Sequence, residues 1–218
     1  MKKVIIGLIS VALLSGCKVE LVPTVNLSDV NSVTAKTVQS KLIVEVMSCT
    51  DFEDSRKESS DVRDVKKAIS EVFTDAKYID CYREKMDSKA LFEVPIIVGG
   101  KTAVGDIQIT NAGFGGGMIV RMSERVKNKI NRATKSTMSK PEPSITINLN
   151  NDLNSELDIV AHAVYLDNYA LPLSPYTLLA GEKHTFKLSD VSVSSAFQHG
   201  VALIYEDLNN RMKMEVKK

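Results

Sequence analysis

The sequence predicts an α+β fold in two parts: a small N-terminal α+β domain, a sheet with packed helices, and a C-terminal β-sandwich of immunoglobulin-like architecture. Three observations predict it. Residues 41–138 mix β-branched alternating runs with two amphipathic helical stretches. Residues 144–218 instead hold short alternating runs at regular intervals, with polar turns and no strong helical period, which is a sandwich pattern. Between them, Ser136 to Pro143 carries two prolines among Ser, Thr and Lys, a linker composition.

The first sixteen residues read as an export signal. Lys2 and Lys3 make a basic start, Val4 to Leu14 an apolar core, and Ser15 and Gly16 supply the small residues of a cleavage site. The apolar run is too short to span a bilayer, which needs about 20 residues. Residues 17–40 show no sustained period and read as a tether, although Ser28 is a good N-cap for one helical turn. In Lys41 to Ser48, Leu42, Val44 and Val46 alternate with Ile43, Glu45 and Met47, a strand running into Cys49. Thr50 to Ser60 is a charged surface loop, and Ser60 caps a helix whose stripe is Val62, Val65, Ile69 and Val72 or Phe73. Lys77 to Arg83 is a strand with Ile79 and Cys81 on one face. Leu91 to Val98 is another, and Pro95, lacking an amide donor, argues for an edge or a bulge. Gly99-Gly100 turns the chain into the strand Val104 to Thr110; the loop Gly113 to Gly117 leads to a short strand from Met118 and a basic helix ending near Lys135. The second part offers strands at Ile145 to Leu149, Leu157 to Leu166, Lys183 to Leu188, Gly200 to Tyr205 and Arg211 to Val216.

Charge and cysteine usage narrow the partners and the compartment. Without Lys2 and Lys3 the 28 Lys and Arg become 26 against 27 Asp and Glu, so no large single-sign field recruits nucleic acid. Of three cysteines, Cys17 follows the signal; Cys49 and Cys81 remain as an even pair that reads as a disulfide in an exported protein. Closing a loop of that length is worth roughly 3.5 to 4 kcal/mol in the chain-entropy model. Two free thiols, or half of a metal site, are the competing readings.

Gly99-Gly100-Lys101-Thr102 resembles the end of a phosphate loop, but Pro95 stands where the first glycine belongs and a strand follows in place of a helix. Gly113 to Gly117 lacks dinucleotide-fingerprint spacing. His162, His184 and His199 are scattered, with no paired spacing of a zinc site. Asp51, Glu53, Asp54 and Glu58 lack the central glycine and the twelfth-position Glu of a calcium loop. No Gly-x-Ser-x-Gly elbow is present. The expectation is no metal, no cofactor and no catalytic set. The basic residues Arg121, Arg125, Lys127, Lys129 and Arg132 form either the wet side of a helix or a surface for an acidic partner.

Leu14-Ser15-Gly16-Cys17 resembles the lipobox of bacterial lipoproteins. The resemblance implies cleavage before Cys17, acylation of that residue and attachment to a membrane; Lys18, which is not aspartate, implies the outer membrane in enterobacterial sorting. Cys17-Lys18-Val19-Glu20, the segment from Cys49 through Asp54 and Cys81-Tyr82-Arg83 are similar to an uncharacterised family of lipoproteins carried by enterobacterial phages and prophages. That resemblance implies a role in altering the lysogen's envelope or excluding other phages, while the two-part layout, the tether and the absence of catalytic motifs point to a non-enzymatic periplasmic module with an envelope or phage protein as partner. Cys17-Lys18-Val19-Glu20-Leu21 also resembles the start of ring lipoproteins of type III secretion systems, and an envelope hydrolase without a recognisable motif is the third reading.

Overall fold

The computed structural model describes residues 18–100, 102, 105–113, 116–135 and 142–209. The signal segment, Cys17, most of the expected linker and the expected strand Arg211 to Val216 lie outside those residues. In chain order the elements are β1 (Lys18–Val22), β2 (Thr24–Asn26), α1 (Leu27–Asn31), β3 (Lys36–Val46), α2 (Ser60–Val72), β4 (Lys77–Glu84), β5 (Asp87–Val98) and β6 (Ile107–Asn111). There follow β7 (Met118–Met122), α3 (Glu124–Lys135), β8 (Glu142–Asn150), β9 (Leu157–Leu166), β10 (Tyr169–Leu178), β11 (Lys183–Leu188), α4 (Asp190–His199) and β12 (Val201–Asp207). Strand dominates and the class is α+β, as the sequence predicts.

The strands do not divide at the expected linker. One hydrogen-bonded path runs β1-β3-β5-β6-β7-β12-β9-β11-β8, and β8 pairs with β1 in parallel, so the pairings close into a ring. β1 belongs to the segment expected as a tether, and it is the strand that closes this ring, with Val19 opposite Val44 of β3 and Leu21 opposite Ile145 of β8. Five residues are too few for an alternating period to stand out, and both partners are distant in sequence. The side chains inside the ring form one contiguous core from both halves, including Leu42, Phe92, Ile109, Ile147, Leu166 and Tyr205. Pro143 therefore lies within one body. Pro143 sits in β8 before the pairing with β11 begins at Thr146, so its missing amide costs no ladder bond on that edge.

β9 turns the corner of this ring. β10 lies along one of its edges, while β12 and β11 share the other end to end, β12 at Ile159 to Ala161 and β11 at Val164 to Leu166. The buried positions change parity between these halves: Ile159 and Ala161 are 0% exposed, then Val164 is 2% and Leu166 0%. Ala163, at φ 48°, absorbs the odd residue. Corners of this kind are made where a strand passes from one face of a core to another through a bend. The Ala163 carbonyl accepts bonds from the Ser189 amide (3.2 Å) and the Ser192 hydroxyl (2.9 Å), so the first turn of α4 fastens the corner.

The helices follow local rules, with shifts at their ends. α2 is capped by Ser59, whose hydroxyl accepts from the Val62 amide at 3.1 Å, one residue before the expected Ser60. Its buried stripe is Val62, Val65, Ile69 and Val72, as spacing predicts. α4 was not expected, because Val193 and Ala196 supply only a weak apolar stripe. Ser189 caps its start and Gly200, at φ 79°, ends it. Ile79, expected on one face with Cys81, is 47% exposed while Cys81 is half-buried, because the β4 register slips between Tyr78 and Asp80. Pro95 lies at neither an edge strand nor a bulge: β5 is interior, with Pro95 opposite Gln39 of β3, and the proline is accommodated because it falls on the other side in the gap between β4, which stops at Glu93, and β6, which starts at Ile97. Pro172 and Pro175 keep β10 from reading as a strand in sequence; among the described residues it pairs with β9 alone, and such an edge tolerates both prolines.

Candidate functional site

The expected cysteine pair is joined. Cys49 and Cys81 form a disulfide with Cα atoms 5.5 Å apart, linking the end of β3 to β4 across β5. The Ser59 amide donates to the Cys49 carbonyl at 3.2 Å, so the same residue that caps α2 closes the base of the charged loop. Within that loop Asp51 accepts from the amides of Glu53 (2.9 Å) and Asp54 (3.3 Å), and Asp54 pairs with Arg56 at 2.9 Å. The Arg56 guanidinium holds the Asp54 carboxyl below the ordinary aspartate value. These carboxylates shape the loop, and among the described residues no group of three His, Cys, Asp or Glu is placed to hold a metal.

The five basic residues do not make one open face. Arg121 is on β7 and exposed. Arg125 is paired with Asp106, which also accepts the Thr74 amide at 2.9 Å and so ties the exit of α2 to the start of α3. Lys127 is only 8% exposed. Its Nζ lies 2.6 Å from Glu124 and reaches the Gln198 carbonyl at 3.5 Å, at the C-terminal end of α4 where a cation complements the helix dipole. Lys129 is half-buried and Arg132 exposed. Arg125 and Lys127 thus serve the fold, in addition to whatever surface the five basic residues offer. Helical spacing shows which residues share a face; it does not show that α4 ends over Lys127.

Gly99 and Gly100, at φ 72° and 62°, turn the chain against α1. A side chain at Gly99 would collide with the Asp29 carbonyl. Their amides donate to the carbonyls of Ile109 (2.9 Å) and Ser32 (3.0 Å), and buried Gln108 donates to the Gly99 carbonyl at 2.9 Å. Amides committed in this way cannot cradle a phosphate. Gly117, at φ 114°, allows β12 to approach the β6–β7 turn.

The strongest polar cluster surrounds His184. Asp167, at φ 49° in the two-residue turn between β9 and β10, accepts the Thr185 amide at 2.7 Å and the His184 Nδ1 hydrogen at 2.8 Å. The Tyr176 hydroxyl donates to the same carboxylate at 3.4 Å, and its ring meets the imidazole edge-on with centroids 5.9 Å apart. Burial, then the Asp167 charge, raises the Tyr176 hydroxyl above its ordinary value. An oriented His–Asp pair is half of a general base. The atom that would accept a proton, Nε2, is buried without a hydrogen-bond partner, so the pair holds the hairpin to β11. His162 lies 3.4 Å from Glu206, and His199 is exposed at the end of α4; the three histidines do not converge.

Two groups of exposed apolar side chains escaped the sequence reading. Tyr165, Tyr169 and Leu173 stand out on the β9–β10 hairpin. Met47, Phe52 and Met86 stand out around the end of β3 and the β4–β5 turn. The only signal in sequence is apolar residues on both parities of a strand or inside a polar turn.

These features define a disulfide-bonded α+β protein built mainly on sheet. The chain belongs to the family described as a domain of unknown function, DUF7424, whose model matches residues 19–210. No curated protein and no solved structure matches the chain.

Proposed function

We propose that the chain is an exported lipoprotein, anchored to the periplasmic face of the outer membrane by an acylated Cys17. In this reading it is a phage or prophage type of envelope module that acts by binding rather than catalysis. The observation that carries the reading is the Cys49–Cys81 bond, since such bonds persist in oxidising compartments and are rare in the cytosol. The polar clusters add support: Asp167, Asp106 and Gln108 hold a turn, two helices and a glycine corner. For the envelope or phage protein partner we assign the face of β10 that carries Tyr169 and Leu173, which supply aromatic and aliphatic contacts of the kind enriched at interfaces, Tyr165 lying on the other face of the hairpin. Pro172 and Pro175 lack amide donors, so the outer edge of β10 is a poor template for strand addition and the face is the better contact.

Replacing Cys17 with Ser is expected to move the protein from the membrane fraction to the soluble periplasmic fraction. A variant that stayed with the membrane would refute the lipid anchor. Crosslinking in intact cells should then recover one envelope component, and Leu173→Ser should weaken that crosslink; a hydrolytic activity with no crosslinked component would instead sink the binding reading.

A further inference from the structure

The exposed apolar side chains around Met47 stand beside the point where the anchor begins. β1 and β3 pair antiparallel with Val19 opposite Val44, which sets Lys18 across from Glu45. Cys17 is one peptide unit before Lys18, about 3.8 Å from Cα to Cα. On the other edge of β3, Val46 pairs with Ser88, next to the two-residue turn Lys85-Met86 that joins β4 to β5. Met47 is 68% exposed, Met86 84%, and Phe52, in the loop leaving the same end of β3, 104%. Single exposed apolar residues need no explanation. Here Met47 and Met86 stand at the end of the ring from which the chain continues to Cys17, and Phe52 stands in the loop that leaves it.

We propose that this end of the molecule lies directly against the bilayer that receives the acyl chains of Cys17, with Met47, Phe52 and Met86 entering the headgroup boundary. The inference rests on the lipid-anchor reading above and adds an orientation to it. Its physical basis is the absence of a stalk in the described chain: β1 starts at Lys18 and is paired on both edges, so the body follows the anchor immediately. Anchoring makes contact between this end and the membrane an intramolecular event, for which weak individual insertions suffice. Methionine suits such a surface because its unbranched side chain adapts to irregular neighbours. Lys18 and Lys85, both exposed, can lay their apolar stems along the boundary and keep their ammonium groups among headgroup phosphates. The other end of β3 is about 33 Å away. Val33 lies beyond it, 87% exposed and far from the anchor.

The chain contains no tryptophan, so a single introduced one reports its own surroundings. The full acylated protein, purified from membranes, is reconstituted into phosphatidylethanolamine–phosphatidylglycerol vesicles with brominated acyl chains, as Phe52→Trp, Met86→Trp or Val33→Trp. Tryptophan at positions 52 and 86 is expected to emit at shorter wavelength than in detergent-free buffer and to lose intensity to the brominated lipid. Tryptophan at position 33 should do neither. If all three reporters stay water-like while the protein floats with the vesicles, the anchor stands and the orientation is overturned. Protein that fails to float, and carries no acyl group on Cys17 by mass spectrometry, overturns the anchor and the orientation with it.

Discussion

Asn151 shows how much one side chain can hold that the sequence presents only as a turn residue. It is fully buried. Its amide nitrogen donates among the carbonyls of Leu178 (3.0 Å), Leu179 (3.0 Å) and Ser155 (3.2 Å), and its Oδ1 accepts the Leu153 amide at 3.2 Å. One side chain thereby gathers the end of β10 and the β8–β9 connection. Replacing it with Ala would leave buried carbonyls unpaired, at about 1–3 kcal/mol for each group lost. Asn151→Ala is expected to lower stability by roughly 2–4 kcal/mol, read as a lower urea midpoint with an unchanged slope. Lys127 teaches the same lesson with a charge: a lysine that helical spacing assigns to solvent is claimed by the end of α4.

Between elements, contacts of this kind fix how pieces meet, and one of them is titratable. α1 packs its Leu27 and Val30 into the core, while its Ser28 amide and hydroxyl both donate to Asp152, after β8, the amide at 2.9 Å. Burial raises the Asp152 carboxyl, but the two bonds from Ser28 outweigh it and leave the group below the ordinary aspartate value. A carboxyl depressed in the folded state stabilises at pH above its unfolded value, about 3.9, and loses that contribution as pH falls through the folded value. The melting temperature of the wild type should therefore exceed that of Asp152→Ala at pH 6, and the gap should close as pH falls below 4. A gap that is constant with pH would exclude the ionic part of the clamp. The caps and stripes within α2 were legible locally, to within one residue at Ser59. The clamp at Ser28, proposed from sequence as a cap, was not: its partner is 124 residues away.

At the scale of the whole molecule, closure of the strand ring makes the two halves interdependent. β8 lies between β1 and β11, and β12 between β7 and β9, so strands of the C-terminal half depend on strands of the N-terminal half for pairing and core. A chain of residues 144–218 expressed alone would leave those edges and apolar faces uncovered. We expect that fragment to lack dispersed amide resonances by NMR, and the chain from residue 18 onward to unfold in one transition when the disulfide is intact. Independent folding of the fragment would restore the reading of two separate domains.

Much of the local structure was determined by the sequence itself. The alternating strands from Leu42 to Val46 and Leu157 to Leu166, the stripe of α2 and the pairing of Cys49 with Cys81 follow from period and cysteine number. Only the tertiary structure decided that β1 closes a ring, that Ala163 turns its corner, that Arg125 pairs with Asp106 and that Lys127 is buried against the end of α4. The physical reason is range. Propensity and periodicity act over a few residues, whereas strand pairing, burial and ion pairing depend on groups that meet only when distant segments share one core.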